Sequence, residues 1–256
     1  MLNLERTDRT LVVAINRPER RNAVDVATAK ALFDAFTEFD TDTALDVAIL
    51  TGSGGNFCAG ADISEFSKVR NTEESAKIYN EAGEFATQAI IDLPQPTIAA
   101  VHGYGVGGGC GLALACDLRV GDATTQMGIP AARLGIVYSA IDCDLLLRAV
   151  GLANAKLVLY SGRYFKLEEC RSMGLVDIVS ADGALVGARA LAAEMAGWAP
   201  LSQRGAKVVL EALARGEAKE RAPEIEAVQV AAVSSQDYRE AAKAFLEKRR
   251  PVFSGH

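Results

Sequence analysis

Histidine is almost missing from this chain. His102 and His256 are the only two in 256 residues, and no Cys/His spacing has the form of a zinc site, so no resident metal is expected. Cysteine is scarce and odd in number. Cys58, Cys110, Cys116, Cys143 and Cys170 are scattered through mostly apolar surroundings, which predicts reduced, buried thiols rather than a disulfide framework. No apolar run approaches the length of a membrane span. Met1–Thr10 carries no basic-then-apolar leader, so a cytoplasmic protein without a membrane span is expected. Cations do not dominate either: 27 Lys and Arg stand against 33 Asp and Glu, a formal charge of -6. That balance argues against general nucleic-acid binding, and any phosphate in a ligand must find a local cationic patch.

Half of the residues are hydrophobic, enough to bury a substantial core in one large domain, with or without an appendage. Leu2–Arg6 reads as an edge strand and Leu11–Ile15 as an apolar one. Arg17, Arg20 and Arg21 crowd the turn between Asn16 and Ala23. Asp25 is a candidate cap for a helix through Phe39, with Ala31, Leu32, Ala35, Phe36 and Phe39 on one face. Val47–Leu50 is a buried strand that enters the glycine-rich loop Thr51–Asp62. Asp62 then has the position of an N-cap for a helix over Ile63–Val69. A longer helix spans Thr72–Asp92, amphipathic through Ile78, Phe85, Ala89 and Ile90. Up to about residue 180 strand and helix alternate, which implies a mainly parallel α/β core. Beyond it the pattern is helical: Leu185–Trp198, Ser202–Leu213, Pro223–Val233 and Gln236–Lys248. These helices are alanine-rich with incomplete apolar stripes, as expected of a part that packs on its own body or on another subunit.

The chemistry is expected between Leu93 and Asp117. Pro94 and Pro96 stop what precedes them, Thr97–Val101 is a short β-branched run, and five glycines fall within Gly103–Gly109. This reads as strand, glycine turn, helix. The N–H groups of a helix's first turn lack intrahelical partners and carry the dipole's positive end. Gly103-Tyr-Gly105-Val-Gly-Gly108, with Asp122 further on, also has the form of a dinucleotide fingerprint. That crossover needs about thirty residues with a full helix, yet the next strand follows at Asp117. Two separate glycine loops, each ending a buried strand and opening a helix, suit an oxyanion hole better, with one amide from Ala61 and one from Gly108.

Asn16–Ala23, Thr51-Gly-Ser followed by Phe57–Ile63, Val101–Cys110, Leu114–Arg119 and Phe245–Gly255 together resemble the enoyl-CoA hydratase/isomerase (crotonase) superfamily. The resemblance covers nearly the whole chain, with the motifs in order. It implies an α/β fold, a crotonase-like spiral of β-β-α turns over residues 1–195. It also implies a C-terminal helical trimerisation region over 196–256, in a homotrimer or homohexamer. The implied ligand is an acyl-CoA thioester, with coenzyme A as part of the substrate and no further cofactor. By the match, Ala61 and Gly108 hold the thioester oxygen, and Ala61, Asp62, Ile63 and Ser64 line the acyl and pantetheine path. Arg21 and Ala23 fall near the nucleotide end, and Phe245 and Lys248 match positions that help close the CoA site.

The chain departs from the family at its acid/base positions. Hydratases carry two glutamates; the matching residues here are Gly111 and Ala131, neither able to transfer a proton. Standard hydration is therefore expected to be weak, with isomerase- or decarboxylase-type chemistry in its place. Tyr138 falls where methylmalonyl-CoA decarboxylases of the superfamily carry a tyrosine, though those have histidine at the position of Ala61. Ser139 replaces the aspartate of dienoyl-CoA isomerases. Asp142 and Asp144 read as helix-start caps or surface charges, His102 and Cys110 as structural side chains. Glu65 and Glu81 are the carboxylates left to reach the pocket. The alternative to an enzyme is a catalytically silent acyl-CoA binding or carrier protein.

Overall fold

The computed structural model describes residues 1–62 and 73–256. The helix expected over Ile63–Val69 lies outside them, and with it Ile63, Ser64 and Glu65. In chain order the elements are β1 (Leu2–Thr7), β2 (Thr10–Ile15), α1 (Val26–Thr41), β3 (Val47–Gly52), α2 (Glu73–Ile91), β4 (Thr97–Val101) and β5 (Tyr104–Val106). Next come α3 (Gly108–Ala115), β6 (Leu118–Gly121), β7 (Gln126–Gly128), α4 (Ala131–Leu134), α5 (Ala140–Ser161), β8 (Phe165–Lys166) and α6 (Leu167–Met173). The chain continues with β9 (Ile178–Val179), α7 (Ala184–Met195), α8 (Pro200–Ala214), α9 (Ala222–Ser234) and α10 (Gln236–Glu247).

One sheet runs β1-β2-β3-β4-β6-β9. Among the described residues of this sheet only the β1–β2 hairpin is antiparallel; the later strands add in parallel, each beside its predecessor. The order never reverses, so this sheet has no topological switch point of the dinucleotide-binding kind. β5 leaves the first sheet to pair with β7, which pairs with β8. The glycine run is therefore not a simple turn between strand and helix. It contains a strand of a second sheet, which the strand-turn-helix reading missed because three residues are too few to show alternation.

Both faces of the large sheet are covered, which is why its strands read as near-continuous apolar runs. Val13, Ile15, Leu50 and Ala99 pack towards α1, α2 and α3. Val12, Ile49, Ile98 and Val120 point the other way, against Ala184, Ala188 and Ala192 of α7. In α1 the Asp25 carboxylate accepts from the Thr28 N–H at 2.7 Å, and Leu32, Ala35, Phe36 and Phe39 are buried. α2 corrects the expected stripe: Ile78 and Phe85 are 55% and 60% exposed, while Ala86 and Ile90 are buried. Phe85 instead meets Phe33 of α1 edge-on, ring centres 6.4 Å apart. α5 runs on through a break at Gly151, whose backbone is not helical. α8 packs on α9, and no described helix is long and apolar enough to cross a membrane.

Candidate active site

Two loops are held side by side where β3 and β5 end. Val24 donates to the Gly60 carbonyl (2.8 Å), and Asp62 donates to the Val24 carbonyl (3.1 Å). In this parallel bridge Val24 faces Ala61, so the N–H of Ala61 points to the opposite side. On that side Cys58 donates to Tyr104 at 2.8 Å and Val106 donates to Cys58 at 3.0 Å, which draws in the turn that opens α3. The approach depends on glycine. Gly60 and Gly107 have φ of 88° and 61°, a region L side chains rarely enter. A Cβ on Gly60 would lie 2.7 Å from the Val106 oxygen and 3.0 Å from the Gly108 nitrogen.

Gly107 is anchored by its N–H to Gly128, and its carbonyl accepts from Cys110 and Gly111. Gly108 begins α3, so its N–H has no partner within the helix. Among the described residues, neither the Ala61 nor the Gly108 N–H has a hydrogen-bond acceptor. Gly108 is exposed and Ala61 half-buried. Both border one cleft of about 680 Å³. Its other walls come from α2 (Asn80, Gly83, Glu84, Thr87) and from the segment that carries Tyr138 and Asp142. Two fixed donors at the mouth of a helix can hold an oxygen that becomes negative during a reaction.

The family model described as enoyl-CoA hydratase/isomerase matches residues 5–256. The chain belongs to the enoyl-CoA hydratase/isomerase family. It is 34% identical to the 2,3-dehydroadipyl-CoA hydratase of Escherichia coli (strain K12), over 99% of this chain and 98% of that protein. It is 33% identical to the crotonyl-CoA hydratase of Syntrophomonas wolfei, over 98% and 96%. The crystal structure of an enoyl-CoA hydratase from Bacillus anthracis superposes with a TM-score of 0.94 at 28% identity, covering 100% of this chain and 99% of that one.

Tyr138 lines the cleft, and its hydroxyl lies 3.3 Å from where a Cβ on Gly107 would stand. Ala131 is buried at the start of α4. Arg20 and Arg21 are exposed, and Arg21 lies over the Tyr104 ring at 5.5 Å. Ala23 is buried in the same turn. Arg17 does not join that cationic cluster. Its guanidinium turns inward to Asp25 (3.0 Å) and Asp62 (2.9 Å), because two carboxylates from neighbouring segments offer it a part-buried pairing that sequence spacing cannot reveal. Asn22 ties the loops together: fully buried, it accepts from the Arg17 N–H and donates to the Ser53 and Asn56 carbonyls. Phe245 and Lys248 lie on exposed surface at the end of α10 and do not line the cleft. His102 bonds the Gly54 carbonyl, and Asp122 binds Thr124 and the N–H of Ala184. Burial pushes the Cys110 thiol up to about 12, which leaves it inert.

Two carboxylates in the cleft differ from the sequence reading. Glu81 pairs with Lys77 at 3.7 Å, whereas Glu84 lines the cleft. Asn80, Gly83, Glu84 and Thr87 recur at helical spacing, and that polar stripe was the available signal. Asp144 is a surface charge paired with Arg148. Asp142 is not. A Cβ on Gly111 would lie 2.6 Å from Asp142 Oδ1, so a carboxylate from α5 fills the space beside the residue that cannot itself transfer a proton. Burial raises the Asp142 carboxyl above its ordinary range and Glu84 adds to this, while the Ser139 hydroxyl pulls the other way.

Proposed function

We propose that this protein binds an acyl-CoA thioester with its carbonyl oxygen between the Ala61 and Gly108 N–H groups and stabilises the enolate formed beside that carbonyl. One observation carries the reading: two main-chain donors from separate loops, neither with an acceptor among the described residues, border the same cleft. Loss of one such donor typically costs about 3–4 kcal/mol in the transition state. In this reading Asp62, Ile63 and Ser64 follow the acyl and pantetheine path. Arg20, Arg21 and Ala23 stand at the nucleotide end, where cations offset a net-acidic chain. Phe245 and Lys248 take part in closing the site through a contact the single chain does not make.

The proposed chemistry is proton transfer or decarboxylation through the enolate. Both need the oxygen held but no activated water, and of the two glutamate positions Ala131 carries no carboxylate, while the space beside Gly111 is taken by that of Asp142. Tyr138 is suited to orient a substrate carboxylate or, in decarboxylation, to protonate the enolate. The test is a small panel of enoyl-, β,γ-enoyl- and malonyl-type CoA thioesters in single-turnover mixing. Product from a β,γ-enoyl or malonyl thioester, with little hydration of crotonyl-CoA, is expected. Crotonyl-CoA turnover at the pace of a good hydratase would overturn this chemistry. Tight binding without product from any of them would favour the carrier.

A further inference from the structure

Glycine at position 111 makes room for a group from another helix. Asp142 Oδ2 accepts from the Ser139 hydroxyl at 2.9 Å, and Ser139 Oγ accepts from the Asp142 N–H at 3.1 Å. One carboxylate oxygen is thus tied to the helix cap. The other, Oδ1, faces α3 beside Gly111, one turn beyond Gly108 on the same helical face. The neighbours of Asp142 include Glu84 from α2, the Cys110 thiol from α3, Tyr138 from the preceding loop, and Ser139 and Cys143 from its own helix. None of these is a cation. A side chain serving only as a cap has no need to enter the cleft that holds the two amides.

We propose that Asp142 is the proton carrier of this site, taking a proton from the carbon beside the thioester carbonyl and returning it to that carbon or to the γ carbon. The proposal rests on the enolate reading above and narrows its substrate class to thioesters with an acidic α C–H, above all β,γ-enoyl-CoA. The proton passes to Oδ1. The C–H pair becomes the new carbon–carbon π bond, and the carbonyl π pair moves onto the oxygen between the amides of Ala61 and Gly108. From a β,γ-enoyl thioester, the same acid delivers the proton to the γ carbon and the α,β-enoyl isomer leaves. Atoms and electrons balance without a co-reactant. A saturated thioester can only take the proton back, which in D₂O appears as exchange at the α carbon. Burial and the like charge of Glu84 hold the Asp142 proton more tightly, which makes its carboxylate a stronger base than an exposed one.

The experiment follows α-proton exchange of butyryl-CoA in D₂O by NMR and isomerisation of vinylacetyl-CoA, with butyryl-CoA binding measured by calorimetry. In Asp142→Asn, binding is expected to persist while exchange and isomerisation fall by about 100- to 10,000-fold. Glu84→Gln is expected to move the rising limb of the exchange rate against pH towards lower pH, which a purely structural role for Asp142 would not do. Exchange at the wild-type rate in Asp142→Asn, or an unmoved limb in Glu84→Gln, overturns the proposal and leaves the oxyanion reading standing. Wild-type protein that binds butyryl-CoA but exchanges nothing also overturns it. Wild-type protein that binds no thioester removes the reading on which it rests.

Discussion

Asp142 shows how one side chain changes meaning with its surroundings. Four residues after Tyr138 and three after the capping Ser139, it has the spacing of a helix-start acid, and its hydroxyl partner fits that role. Its other oxygen faces Gly111. Burial, with Glu84 in support, raises its carboxyl above the ordinary value, whereas in the unfolded chain it titrates near about 3.9. The native state therefore keeps this proton to higher pH than the unfolded state does. The resulting stability is fully present below the unfolded value and is lost as pH rises through the folded one. Asp142→Asn, which cannot ionise, is expected to raise Tm near neutral pH, with the gain shrinking as pH falls through the folded value towards the unfolded one. Calorimetry across that range checks the sign, and a gain that grows on acidification would contradict it. The variant predicted to lose proton transfer is thus also predicted to be the more stable one.

At the scale of elements, the site is a meeting of chain segments brought together by backbone bonds. The Val24–Ala61 bridge turns one amide outward, and β5, held against Cys58, brings the start of α3 beside it. Gly60 sits where both constraints meet. Gly60→Ala would place a methyl 2.7 Å from the Val106 oxygen and 3.0 Å from the Gly108 nitrogen, and forcing a side chain into positive φ adds about 1–2 kcal/mol. The loops are expected to part, with butyryl-CoA affinity lost and the urea midpoint lowered while the α/β circular dichroism is retained. Unchanged affinity would show that the two amides do not act together. Most of this arrangement was readable: the residues quoted for the resemblance include both loops, and Asp25 caps α1 as its sequence predicts. The apolar stripe of α2 was not, because Ile78 and Phe85 are apolar by type yet face outward, while small Ala86 is the residue that allows close packing.

For the molecule as a whole, the large sheet is closed off by helices on both faces, whereas the C-terminal helices leave apolar surface uncovered. Leu210, Leu213, Val230, Val233 and Leu246 are all more than half exposed on α8, α9 and α10. Such a patch on an alanine-rich extension fits subunit contact. Multi-angle light scattering is expected to give the mass of a trimer or hexamer, and Leu213→Glu/Leu246→Glu to reduce it. A wild-type mass of one chain would contradict this reading.

Local rules read from the order of residues were enough for the strand and helix alternation, the cap at Asp25 and the pair of glycine loops. Each depends on neighbours within about one helical turn or on a period of two. The inward turn of Arg17, the outward face of Phe85 and the entry of Asp142 into the space beside Gly111 could not be read that way. In each of these the partner lies on a different segment of the chain. Asp142 is 31 residues from Gly111, and only the packing of α5 against α3 brings the carboxylate to the gap that glycine leaves.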